Sequence, residues 1–217
     1  MSKASNVLSF YVLCNKLKQV IRTGWKNWNV QGERIESVAE HIYGVQMLAI
    51  AMKSEYEYDV DIMKVIMMLA VHELGETVIG DITLFDMDKE KKKQREHEAV
   101  HKILEGMLDG KKIEQIFIEF DEGNTMEANL AYLCDNVECD LQAKIYGEEG
   151  RVDLSNQEDN KSLKDPRVKQ LLEEDPTWEL MWLRFGQLIY PYDENFKEVS
   201  DYAQKHKVKI IDNYNKK

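Results

Sequence analysis

Apolar residues recur at steps of three and four along almost the whole chain, a period that suits helices and little else. Val7, Phe10, Leu13, Cys14 and Leu17 mark the first stripe and place a helix over about Ala4–Val20. Ser37-Val38-Ala39-Glu40 is a capping box, in which the serine hydroxyl accepts from the Glu40 N–H while the Glu40 side chain reaches back. It opens a helix to about Lys53 that is apolar on most sides (Val38, Ala39, Ile42, Val45, Met47, Leu48, Ile50), which predicts a central position. Asp59 or Asp61 caps the next helix, which runs through Ile62, Val65, Ile66, Met68, Leu69 and Val71 to Glu76. Lys89–Leu108 reads as a charged amphipathic helix and Lys111–Phe120 as a shorter one; Asn124 with Glu127 forms a second capping box, opening a helix to about Tyr146. Asp165-Pro166 and Asp175-Pro176 each set a capping aspartate before a proline at the first helical position, predicting helices over 166–174 and 176–190. A last helix spans about Glu194–Lys205, and the polar stretches 22–36 and 147–164 read as loops. Three prolines and eleven glycines are too few for a turn-rich β chain. The expectation is one all-α domain over residues 1–217, with a core at about 4–146 and a helical C-terminal extension at about 165–206. That length buries a sizeable core without disulfides or a structural metal.

The charge balance narrows the partners. Twenty-nine Lys and Arg face forty Asp and Glu, a net charge of −11, which repels nucleic-acid polymers and anionic membranes. A phosphate-bearing ligand would have to be drawn in by a local cation. The apolar run Val65–Val71 is far too short to span a bilayer, and the N-terminus lacks the basic segment and apolar run of a secretory signal. Cys14, Cys134 and Cys139 are odd in number and have no CxxC spacing, so they read as reduced thiols of a cytoplasmic protein.

Ionisable residues stand in unexpectedly apolar company. His41 lies on a helix with almost no polar face; His72-Glu73 and Glu76 end another such helix; Asp135 sits within Tyr132-Leu133-Cys134-Asp135-Asn136-Val137. A satisfied core histidine accounts for any one of these taken singly. Together they place two imidazoles and two carboxylates on three core helices, and buried charges are costly unless paired or metal-bound. If the helices pack together, that N/O set suits a Zn, Mn, Co or Fe ion. Neighbours on a helix point about 100° apart, so His72 and Glu73 reach one ion only at a helix end or a seam. Glu76, one turn after His72, shares its face and could move a proton.

The blocks Leu17–Trp25, Asn29-Val30, Glu36–His41, Leu69–Glu76 and Gly80-Asp81-Ile82, followed by Asp135, together resemble the HD-domain phosphohydrolases, and most closely their 5'-deoxynucleotidase branch. The resemblance spans about residues 8–146 and implies an all-α HD-domain helical bundle, commonly a homodimer. It assigns His41, His72, Glu73 and Asp135 as ligands of one divalent transition metal ion (Mn, Co, Zn, Fe or Ni). Arg22 then orients the substrate phosphate, for which a forked, permanently charged donor is apt. Glu76 and Asp81 act beside the substrate and the attacking water. Thr23 and Trp25, with Ile82, Thr83 and Leu84, complete the nucleotide-binding set. The partner implied is a small nucleotide.

Two positions depart from the family pattern. Glu73 stands where the signature has aspartate, one methylene shorter, and Thr23 stands where bacterial members often carry an aromatic that favours the 2'-deoxy sugar. Two alternatives keep the site: a dNTP triphosphohydrolase or nucleotide phosphodiesterase, and a nucleotide-binding HD module without turnover. A triphosphatase would need further cations, which Lys89–Arg95 could supply, although such a helical charge run reads as a solvated face. His97 and His101 are likewise read as solvated, Trp178 and Trp182 as packing residues, and Trp25 and Trp28, which flank the phosphate loop, as the candidates for touching a base or closing the pocket.

Overall fold

The computed structural model describes residues 2–83 and 86–207. It is all-α. Among the described residues the single β-type pairing is an antiparallel bridge between Ile21 and Ser37. Contacts divide the chain into two compact units: the first runs through Asn27 and resumes over Glu33–Asp135, and the second takes Trp28–Gly32 and the described chain from Asn136 onward.

In the first unit, α1 (Lys3–Cys14) is shorter than its apolar stripe predicts, because Asn15–Lys18 tightens into a 3₁₀ turn. The predicted loop after it contains a short helix, α2 (Thr23–Asn27). Helix α3 (Val38–Glu55) starts on the predicted capping box, with both reciprocal bonds made. It is not central as a whole. Val38, His41, Val45, Ala49 and Met52 are buried at helical spacing, whereas Tyr43, Met47 and Ile50 are exposed.

Helix α4 (Ile62–Val71) is capped by Asp61, whose carboxylate accepts from Met63 and Lys64 N–H. It ends five residues before the expected point. Leu74 N–H then donates to Val71 O and Glu76 N–H to Glu73 O, tight three-residue turns that lead into α5 (Glu76–Ile79). Helices α6 (Lys89–Leu104) and α7 (Gly110–Glu122) close a core of Val71, Leu74, Val100, Leu104 and Phe117.

Helix α8 (Met126–Glu148) begins without the expected Asn124–Glu127 box. Thr125 Oγ1 accepts from Ala128 N–H instead, and Glu127 accepts from Asp61 N–H, a long-range partner invisible to local pattern. The second unit holds α9 (Pro166–Glu174), capped by Asp165 as expected, α10 (Trp178–Ile189) and α11 (Glu194–Lys205). Helix α10 starts two residues late, with Thr177 rather than Asp175 at its N-cap. Trp178 packs edge-to-face on both Trp28 and Trp182; Trp28, 2% exposed, is thus a packing residue of that unit rather than the base-contacting ring expected, a correction that burial decides. No helix among the described residues is long and apolar enough to cross a membrane.

Candidate metal and phosphate site

Three stretches of the first unit bring the acidic and imidazole residues together. Pairing of 20–22 with 36–38 (Arg22 N–H to Glu36 O, 3.0 Å; Val38 N–H to Val20 O, 2.8 Å) ties Arg22 to the start of α3, which carries His41. The tight turns after α4 present His72 and Glu73. Both lie just past the last helical residue, Val71, the helix end at which neighbours can reach one point. Asp135 comes from α8.

His41 Nε2 lies 2.9 Å from Asp135 Oδ1 and 3.9 Å from Glu73 Oε1, while His72 Nε2 lies 3.5 and 3.8 Å from the same two oxygens. One ligand atom from each of the four lies within 4.8 Å of the others. His72 supplies a test of whether a cation fits. Its Nδ1 is 2.8 Å from Leu69 O, and a carbonyl only accepts, so Nδ1 carries a proton and Nε2 is the nitrogen turned toward the carboxylates. That Nε2 is buried and makes no hydrogen bond among the described residues. An orphaned imidazole nitrogen beside two carboxylates is the donor set a divalent ion accepts, and the carbonyl is the kind of partner that orients a metal-binding ring.

Electrostatics agree. Burial works to raise the Asp135 carboxyl, but the His41 hydrogen bond and His72 outweigh it and hold the group well below the usual range. For Glu73, burial is likewise overcome, by His72 and Arg22, and the carboxyl is lowered. Glu76 goes the other way, pushed up to about 10 by burial and by the adjacent Glu73 and Asp81.

The family model for the HD domain matches residues 14–174. The chain belongs to the HD-domain family. A 5'-deoxynucleotidase HDDC2 of Dictyostelium discoideum is 39% identical over 151 residues, covering 65% of this chain and 78% of its own. The human 5'-deoxynucleotidase HDDC2 is 33% identical over 146 residues, covering 66% and 69%. Among solved structures, the PH0347 protein of Pyrococcus horikoshii OT3 superposes with a TM-score of 0.65 at 22% identity, covering 91% of this chain and 98% of that one. A predicted metal-dependent phosphohydrolase of Magnetospirillum magnetotacticum MS-1 superposes with a TM-score of 0.57 at 18% identity, covering 93% of this chain and 94% of that one. These two likenesses concern the fold.

Within the HD-domain site, Arg22 Nη1 makes a 2.9 Å ion pair with Glu73 Oε1. Thr23 clasps the following loop twice: its N–H donates to Asp81 Oδ2 at 2.5 Å and its hydroxyl to Asp81 O at 2.8 Å. Ile82 and Thr83 are half-buried beside it, Thr83 donating to Asp86 at 2.6 Å. Leu84 lies outside the described residues. Trp25 does not look outward. It is 2% exposed and its indole N–H donates to Glu36 at 2.7 Å, which leaves little ring for a base to stack on, a correction to its expected contact with nucleotide.

The run Lys89–Arg95 is only partly a solvated face. Lys92 turns inward, 3.3 Å from Glu76 Oε1, and burial, which would lower its pKa, is outweighed by Glu73 and Glu76, so the ammonium is raised. The signal was present in the sequence: Lys92 and Glu96 fall in register with Ala99 and Val100, on the buried stripe of α6. His97 and His101 reach across to α7 instead, to Asp121 (2.6 Å) and Glu114 (2.9 Å).

Proposed function

We propose that this HD-domain protein is a metal-dependent 5'-deoxynucleotidase, a phosphoric monoester hydrolase that converts deoxynucleoside 5'-monophosphates to nucleoside and phosphate. Support comes from the relatives of that name, which match two thirds of the chain, and from the convergence of two imidazoles and two carboxylates within 4.8 Å in the first unit. His41, His72, Glu73 and Asp135 would hold one divalent ion. When bound, such an ion lowers the pKa of water and neutralises phosphate charge. The mixed N/O donors suit Mn, Co, Zn, Fe or Ni.

The chain's own residues do the rest. Arg22, delivered by the 20–22 pairing, offers a fork of N–H donors to the phosphate oxygens. Water adds to phosphorus as the bond to the 5'-oxygen breaks, and the departing oxygen ends with a proton. Glu76 and Asp81 orient the water and carry protons between the two oxygens. The Thr23 clasp holds Asp81, and with Ile82 and Thr83 it forms the nucleoside side of the pocket. This arrangement resolves the charge problem: the acidic residues gather a cation, and the cation with Arg22 reverses the local sign for phosphate.

Phosphate release from a panel of dNMPs and NMPs, with Mn, Co, Zn or Mg, tests the reading and reports sugar preference. No release from any of them by protein shown to bind metal overturns it. We also propose a homodimer, supported by the exposed apolar side chains Tyr43, Met47 and Ile50 on α3 and Met63 and Met67 on α4, which sedimentation would test. A reducing compartment such as the cytoplasm suits the three free thiols.

A further inference from the structure

We propose that Lys92 is a positioning residue for Glu76, braced by Glu96, and that it serves the reaction through that carboxylate rather than by binding phosphate itself. Lys92 sits on the buried stripe of α6 with its side chain 23% exposed, and its Nζ lies 3.3 Å from Glu76 Oε1 and 3.4 Å from Glu96 Oε1, one turn along the same helix. Glu76 is 1% exposed. The bond from Lys92 is the one its carboxylate makes among the described residues; Oε2 is buried and has no hydrogen-bond partner. One oxygen is therefore anchored and the other is left for work, a division a free carboxylate cannot keep because rotation exchanges the two.

The backbone is arranged for this reach. A Cβ on Gly75 would meet Glu96 Cα at 3.0 Å, so the missing side chain at 75 lets α6 lie against the turn that carries Glu76. Glu96 then holds the ammonium from behind, and Lys92 supplies positive charge in a cluster where Glu73, Glu76 and Glu96 lie within 4.8 Å of one another. A proton-handling group must be held to a fraction of an ångström to act at the reacting oxygen, and a single deep anchor does that.

The inference rests on the hydrolase reading of the site, and the two fail differently. Wild type inactive on every nucleotide overturns that reading; active wild type with indifferent Lys92 variants overturns this one alone. The experiment uses the full chain loaded with Mn, comparing Lys92→Met, Lys92→Arg, Glu96→Gln, Glu76→Gln and the Lys92→Met/Glu76→Gln double variant. Readouts are kcat and KM on a dNMP, inhibition by inorganic phosphate, and thermal midpoint. Lys92→Met is expected to lower kcat about 10- to 100-fold with KM and phosphate inhibition changed less than about threefold, and Lys92→Arg to restore much of the loss. The double variant should be no slower than Glu76→Gln, since two residues acting as a unit are non-additive. Additive losses, or a weakened phosphate inhibition with kcat intact, overturn the proposal. If Lys92→Met does not fold, Lys92→Arg and Glu96→Gln, each paired with Glu76→Gln, complete the cycle under the same criterion.

Discussion

Asp135→Asn changes one atom and keeps the shape, so it isolates what the Asp135 charge contributes. In the metal-free protein the carboxylate accepts from His41 Nε2 at 2.9 Å and lies 3.5 Å from His72 Nε2. Both imidazoles, against the opposing effect of burial, favour its charged form. A hydrogen bond to a charged group contributes about 1.5–3 kcal/mol. For a chain of this size each kcal/mol shifts the melting midpoint by about 2–4 °C, so the variant should melt about 3–12 °C below wild type without metal. A ligand that binds only the folded state at a hundred times its Kd adds about 2.7 kcal/mol, or about 5–11 °C. Loss of one anionic ligand should weaken the metal at least about tenfold, which at the same metal concentration leaves no more than about 1.4 kcal/mol. Differential scanning calorimetry with and without Mn or Co reads both numbers. A variant that melts with wild type when metal-free, and gains the same increment from metal, would refute the assignment of Asp135 to the site.

Other outcomes follow from single contacts. Arg22→Lys keeps the charge and loses the fork, so kcat/KM on dNMPs should fall about 10- to 100-fold; unchanged steady-state kinetics would contradict a phosphate role for Arg22. Asp140 is buried, and burial outweighs its 2.9 Å hydrogen bond from Tyr192 to hold the carboxyl well above its ordinary value. A raised folded-state value favours folding fully below the unfolded pKa of about 3.9, and that contribution is lost as pH rises through the folded value. Asp140→Asn, which can still accept from Tyr192, should flatten this decline in denaturation curves taken across pH; an identical slope in the variant would sink the account. Gly186 faces the same carboxylate so closely that a Cβ would overlap it, and Gly186→Ala should destabilise the protein by about 1–3 kcal/mol in guanidinium unfolding.

Much of the site was legible in the linear sequence, because a buried polar group is an exception that pattern exposes. His41, His72, Glu73 and Asp135 stood out in apolar helices, and the structure brings their ligand atoms within 4.8 Å. Lys92 did not stand out, since a lysine in a charged run looks solvated until its register with Ala99 and Val100 is followed. Trp25 misled in the opposite sense. Its place near the phosphate loop suggested a contact with nucleotide, and a carboxylate eleven residues away, Glu36, accepts its indole N–H inside the fold.

By itself the sequence determined the helical class, the capping box at Ser37, the caps at Asp61 and Asp165, and the identity of the acidic and imidazole groups. Each of these is local: period, cap and composition act within a turn or two of chain. Tertiary structure decided where α4 stops, which cap α8 uses, which lysine faces Glu76, and which nitrogen of His72 turns toward the carboxylates. Those outcomes depend on partners far away in sequence, or on backbone oxygens whose direction exists only once the chain has turned. The chemistry of the site was written in residue types, and its geometry in the packing that aims them.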